Sequence, residues 1–146
     1  MTNQTSIKEG REQFRYWKTI EVRWGDMDAQ GHVNNAAYFT YCESARVELL
    51  RKIGYQGKPA GMTEGPALVH AACDYKRQVV YPATLEVGLR VERIGERSFK
   101  IAYGIFFQGT QELAAVGVSV NAWMNYVEEH SVPLPAEIRR ALLAYQ

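Results

Sequence analysis

The chain has 146 residues, enough for one domain with one substantial core. Hydrophobic residues make up 47% and charged residues 23%, which excludes a disordered chain, and a net charge of +1 with Lys and Arg scattered along the sequence gives no basic footprint of a dedicated nucleic-acid binder. No run of about 18 apolar residues occurs, so no membrane span is predicted.

The opening residues, MTNQTSIKEGREQFRYW, carry no signal-peptide core. The two cysteines, Cys42 and Cys73, form no Cys-x-x-Cys pair. The expected setting is a reducing cytoplasm with both thiols free. Residues 1–14 are polar and read as a flexible N-terminus, and residues 15–146 read as a single domain.

From Tyr16 to Trp24, the residues Ile20, Val22 and Trp24 alternate with Thr19, Glu21 and Arg23. That is a strand with one buried face. A loop follows over Gly25 to Val33. Asn34 is a good helix cap, and neither proline nor glycine interrupts residues 35–53. Tyr38, Cys42, Ala45 and Leu49 recur at helical spacing. Phe39, Val47 and Leu50 broaden the stripe, which predicts a deeply seated helix. Glu48 and Lys52 are spaced to pair across one turn.

Residues Gly54 to Gly65 read as a loop. After Pro66 the period becomes two. Val69 to Tyr75, Leu85 to Val91, Phe99 to Phe107 and Val116 to Met124 predict four strands. They are broken at Tyr81-Pro82, Gly95-Glu96 and Gln108-Gly109-Thr110. A short helix is expected at about Ala136 to Ala144. Strand, long helix and four antiparallel strands predict an α+β domain with a five-stranded sheet curled around the helix. Its long exposed edge calls for a partner strand, hence a dimer with a continuous sheet.

The richest chemistry lies in RWGDMDAQGHVNNAAYFTYCESAR, residues 23–46. Asp26 and Asp28 stand just ahead of the helix. The first amides of a helix are unpaired and carry the positive end of its dipole, so they polarise a carbonyl placed there. A carboxylate a few residues upstream can attack that carbonyl or activate water against it. The plainer reading is Asp-x-Asp as turn chemistry, His32 as a hydrogen-bonded loop residue, Asn34 and Asn35 as cap and turn, and Tyr38 as core.

Other chemistries lack their residues. There is no Gly-x-Ser-x-Gly elbow and no phosphate loop. His32, His70 and His130 lie far apart, which argues against a zinc site. Cys42, on the apolar stripe, reads as an inert thiol.

The stretch resembles the signature of hot-dog-fold acyl-CoA thioesterases of the 4-hydroxybenzoyl-CoA thioesterase type. That pattern runs Asp-x-Asp-x-x-Gly-His/Val-Val, then Tyr, then Glu-x-Ala-Arg. Asp26, Asp28, Gly31, His32, Val33, Tyr38, Glu43, Ala45 and Arg46 match it, and DYKRQVVYPATLEV resembles the family's next strands. The resemblance implies hydrolysis of an acyl-CoA thioester to an acid and free CoA, without cofactor or metal. It implies Asp28 as nucleophile or general base. The amides near Asn35 face the carbonyl, and Gly31, His32, Asn34 and Tyr38 are positioning residues. It also implies homodimers by sheet pairing, packing in some members into homotetramers.

Some members place basic residues before the Ser-Phe of the fourth strand to hold CoA phosphates. Here IGERSF leaves Arg97, with Arg93, Arg77 and Lys100 as alternatives. Glu43 reads as structural, pairing with Arg46. Tyr38, Phe39, Tyr41 and Trp123 are the aromatic candidates for lining an acyl pocket. The alternatives are a non-catalytic acyl-thioester binder and, last, a hydratase.

Overall fold

The computed structural model describes residues 10–146. Strand β1 (Tyr16–Glu21) leads through a 3-10 turn into helix α1 (Ala37–Lys52). Strands β2 (Glu64–Tyr75), β3 (Thr84–Ile94), β4 (Ser98–Phe107) and β5 (Leu113–Asn125) follow. A two-residue β6 (His130–Ser131) and helix α2 (Ala136–Leu143) close the chain. The antiparallel sheet runs β1-β3-β4-β5-β2, with β6 on β5. Its five long strands are those the periodicity predicts; β6 is too short to leave a period.

The core lies between α1 and the concave face. Leu85, Val87, Leu89 and Val91 of β3, with Phe99, Ile101, Tyr103 and Ile105 of β4, are buried against Ala45, Leu49 and Leu50 of α1. Each buried leucine or isoleucine contributes about 1.5–3 kcal/mol relative to exposure. Strand β5 departs from the simple reading. Its valines point outward, and Ser119, Asn121 and Trp123 are buried. Gly117 sits under α1, where a Cβ would come 3.9 Å from Cys42 Sγ.

The helix also departs. Phe39 and Val47 are exposed, whereas Tyr41 and Arg46 are buried. Glu48 does not pair with Lys52. It accepts hydrogen bonds from Lys18 Nζ at 2.9 Å and from the Tyr16 hydroxyl. Trp24 is exposed because β1 ends at Glu21.

The expected flexible N-terminus falls partly on residues 1–9, outside the described residues. Residues 11–13 form a 3-10 turn, and Phe14 is buried on the convex face. There it packs edge-on against Trp17 and Phe106, each at 5.9 Å between ring centroids. The cross-strand pair Gly88 and Gly104 makes the room, since a Cβ on either would come within 3 Å of Phe14.

Strand β2 is one outer strand of the sheet and β1 is the other. Leu68, Val69 and Tyr75 are exposed on β2.

Candidate active site

The loop between β1 and α1 is held at both ends. Met27 and Val33 form an isolated bridge, and Val33 N–H donates to Val79 O at 2.8 Å. Inside it the chain turns on Asp28. Asp28 Oδ1 accepts the Gln30 amide at 2.9 Å, and Asp28 O accepts the Gly31 amide at 3.0 Å. Gly31 has φ +87°, a backbone state that an L side chain resists. This local chemistry fixes the aspartate without burying it.

The two aspartates sit in different surroundings. Asp26 is buried; its Oδ1 accepts from Arg23 Nη2 at 2.8 Å, and its Oδ2 accepts from the Tyr41 hydroxyl at 2.7 Å. Burial pushes its pKa up, but the Arg23 amide, the Arg23 guanidinium and the Tyr41 hydroxyl together outweigh it and hold the carboxyl below its usual range. Asp26 is therefore a structural anion. Asp28 is half-buried, and Asn34 Nδ2 donates to its Oδ2 at 3.0 Å.

The helix starts two residues later than the cap assignment predicts, and Ala36 stands at its N-cap. Asn34 still organises the entry. Its Oδ1 accepts the Ala36 amide at 2.8 Å, and its carbonyl accepts the Ala37 amide at 2.9 Å. The amides of Asn35 and Tyr38 have no acceptor among the described residues. Tyr75 on β2 donates its hydroxyl to Asn35 O at 2.8 Å and pins that peptide.

These groups meet in one cleft of about 340 Å3, with Asp28, His32, Asn35 and Tyr38 on one side and Tyr75 to Gln78 on the other. Gly31 and Asn34 stand behind it and hold Asp28. His32 Nδ1 lies 3.4 Å from Val33 O. Burial, with Cys73 and Tyr75 nearby, raises the Tyr38 pKa, so its hydroxyl stays protonated.

Sequence reasoning missed Gln30, Tyr75, Lys76 and Gln78. No local sequence signal marks Tyr75 and Lys76, because β2 ends beside this loop only through its pairing outside β5. Arg77, one of the weighed alternatives, reaches the cleft but pairs with Glu112.

Arg93 and Arg97, at the β3–β4 hairpin, lie at the opposite end of the sheet and do not line this cleft within one chain. Arg97 Nη1 donates to Ser131 O at 2.7 Å. Trp123 packs against Tyr55 near the far end of α1, and Tyr41 is committed to Asp26, so neither lines the cleft. Among the described residues no group of His, Cys, Asp and Glu is arranged to hold a metal. Burial pushes the Cys42 thiol up to about 12, the state of an unreactive cysteine.

A curled sheet around one long helix is the fold of the hot-dog thioester hydrolases, and the chain's relatives are hydrolases of that class. The chain belongs to the Thioesterase-like superfamily, whose family model matches residues 22–142. A solved protein from Pseudomonas aeruginosa PAO1 is 33% identical and superposes with a TM-score of 0.88, over 94% of this chain and 95% of that one. A 1,4-dihydroxy-2-naphthoyl-CoA hydrolase of Prochlorococcus marinus is 28% identical over 132 residues, 84% of this chain and 86% of its own. A 1,4-dihydroxy-2-naphthoyl-CoA thioesterase from Synechocystis, 20% identical, shares the fold with a TM-score of 0.80 over 88% of this chain and 95% of that one.

Proposed function

We propose that the protein hydrolyses acyl-CoA thioesters, with Asp28 as nucleophile or general base. The observation that carries this is the shared cleft: Asp28, Asn35 and Tyr38 line it together, and the backbone amides of Asn35 and Tyr38 have no acceptor among the described residues. The thioester carbonyl oxygen sits against those amides, where the helix dipole stabilises the oxyanion. Asp28 either attacks the carbonyl carbon or takes a proton from the attacking water. A C–O bond forms, the C–S bond breaks, and the thiolate leaves to become free CoA after protonation; where Asp28 is the nucleophile, water then hydrolyses the acyl-Asp28 anhydride, releasing the acid and restoring the carboxylate. The Prochlorococcus relative is named for this reaction on an aryl-CoA.

The reading extends to a homodimer paired through the β2 edges, which can pack further into a tetramer. The exposed Leu68, Val69 and Tyr75 support it. Antiparallel pairing sets each sheet's Asp28 end beside the opposite end of the other sheet. Arg93 and Arg97 of one subunit then face the neighbouring cleft and are available for CoA phosphates, with Lys76 at the mouth.

The test is thiol release from short, long and aryl acyl-CoAs by wild type and Asp28→Asn. Release by wild type, lost in Asp28→Asn with acyl-CoA binding retained, is the expected result. Binding without release from any substrate would support a non-catalytic acyl-thioester protein instead.

A further inference from the structure

The Asn35 peptide stands just outside the helix it leads into, which begins at Ala37. In a regular helix the Asn35 carbonyl would accept from the amide four residues on, that of Phe39. Here the Phe39 amide donates to Ala36 O at 3.2 Å. The Asn34 carbonyl is likewise taken three residues on, by the Ala37 amide at 2.9 Å. This tightened first turn leaves the Asn35 carbonyl to a partner from elsewhere in the fold.

Strand β2 supplies that partner. Tyr75 is its last residue, and the Lys76 and Arg77 amides beyond it both donate to Ala114 O of β5, at 2.8 and 3.1 Å. The strand end is therefore a fixed support. From it the Tyr75 hydroxyl donates to Asn35 O at 2.8 Å, and the Tyr75 ring meets the Tyr38 ring edge-on at 5.0 Å. The Ala36 amide, the other end of the same peptide unit, donates to Asn34 Oδ1 at 2.8 Å. Two side chains thus hold a peptide unit that the helix does not. The unpartnered amides of Asn35 and Tyr38 stand on either side of it in the chain.

Resting on the thioesterase reading of the cleft, we infer that Tyr75 is a positioning residue: its hydroxyl fixes the Asn35 carbonyl so that the Asn35 and Tyr38 amides stay aimed at the oxyanion. A peptide free to turn would lose that aim and could bring its own carbonyl oxygen, a partial negative charge, toward the developing oxyanion. Packing against Tyr38 needs only the ring; the positioning role needs the hydroxyl. The effect falls on the carbonyl common to every acyl thioester, so it does not depend on the acyl group.

The experiment compares wild type with Tyr75→Phe, which removes one oxygen and keeps the ring, on benzoyl-CoA and hexanoyl-CoA. The expected fall in kcat is about 10- to 100-fold, the cost of a misaimed group, and equal on both substrates. KM should change little. The acid limb of the pH profile should stay in place, because the Gln30 and Asn34 contacts to Asp28 are untouched. An unchanged kcat overturns the inference. So does a loss that lies in KM or that differs between the two substrates, which would make Tyr75 a packing or specificity residue.

A second measurement reads the carbonyl directly and needs no turnover. Benzoyl-CoA isotope-labelled at the thioester carbonyl is bound to Asp28→Asn, and its infrared carbonyl band is compared with that in water. The aimed amides should lower the frequency, and adding Tyr75→Phe should reverse most of that shift with binding retained. An unshifted band in Asp28→Asn, or the same shift with and without the hydroxyl, overturns the inference. If wild type hydrolyses neither substrate, the thioesterase reading fails, and the band alone decides whether Tyr75 aims the amides.

Discussion

Asn34 holds Asp28: its side-chain amide donates to Asp28 Oδ2 at 3.0 Å, while its oxygen accepts the Ala36 amide at 2.8 Å. One side chain thus ties the proposed catalytic carboxylate to the start of α1. Asn34→Ala should lower kcat by about 10- to 100-fold with KM little changed, the cost of a misaimed group. Asn34→Asp separates the two roles. It keeps an acceptor for Ala36 but sets a like charge beside Asp28, so the acid limb of the kcat profile should move to higher pH. Parallel losses in both variants with no movement of the limb would mean that Asn34 only shapes the helix entry.

Gly31 closes the turn on which Asp28 sits, at φ +87° with its amide on Asp28 O. No atom blocks a Cβ there, so the penalty of Gly31→Ala is purely conformational. It should cost about 1–2 kcal/mol of stability. Activity should fall further than stability explains, because the turn relaxes by moving Asp28. A thermal melt paired with steady-state kinetics checks both, and an unchanged melting temperature would refute the strain argument.

Much of the fold was legible because its signals are local. The helical period of Tyr38, Cys42, Ala45 and Leu49, and the two-residue period of β3 and β4, each report a face that packs against something large. Strand β5 was legible as a strand but not in its facing: the small, polar face lies inward, where Gly117 clears α1 and Ser119 and Asn121 join Arg46 and Tyr103. Phe39 and Val47 read as core and are exposed, since hydrophobicity does not say whether a neighbour belongs to the same chain. At the site, residues 28–38 are one local turn and helix entry, so their association was readable. Tyr75 and Lys76 come to the cleft only because β2 pairs outside β5, a long-range choice that no short pattern encodes.

Asp26 makes the fold sensitive to acid. Its pKa is lowered in the folded protein, so it contributes stability above the unfolded value of about 3.9, lost as pH falls through the folded value. Asp26→Asn should destabilise by about 1.5–3 kcal/mol at pH 7, the scale of hydrogen bonds to a charged group. It should also flatten the acid side of the stability curve. Urea midpoints for both proteins across the acid range decide this. If the gap between them does not narrow toward low pH, the Arg23 and Tyr41 contacts are not what lowers the carboxyl.

The β2 edge carries the prediction on assembly. A bulge between Leu68 and His70 shifts the register there, and Leu68 and Val69 stand exposed at 49% and 61%. Phe39 and Val47 of α1 add 40% and 47% exposure. We propose that a second subunit covers these four side chains, the outer strand β2 supplying backbone hydrogen bonds for the pairing. The double variant Leu68→Lys, Val69→Lys should convert a dimer to a monomer in light scattering while retaining the wild-type circular dichroism spectrum. Thiol release should fall with it, because the proposed site takes Arg93 and Arg97 from the neighbouring subunit. An active monomeric variant would place the whole CoA site within one chain and return the phosphate contacts to Lys76 and Arg77. A variant that stays dimeric would move the interface off the β2 edge.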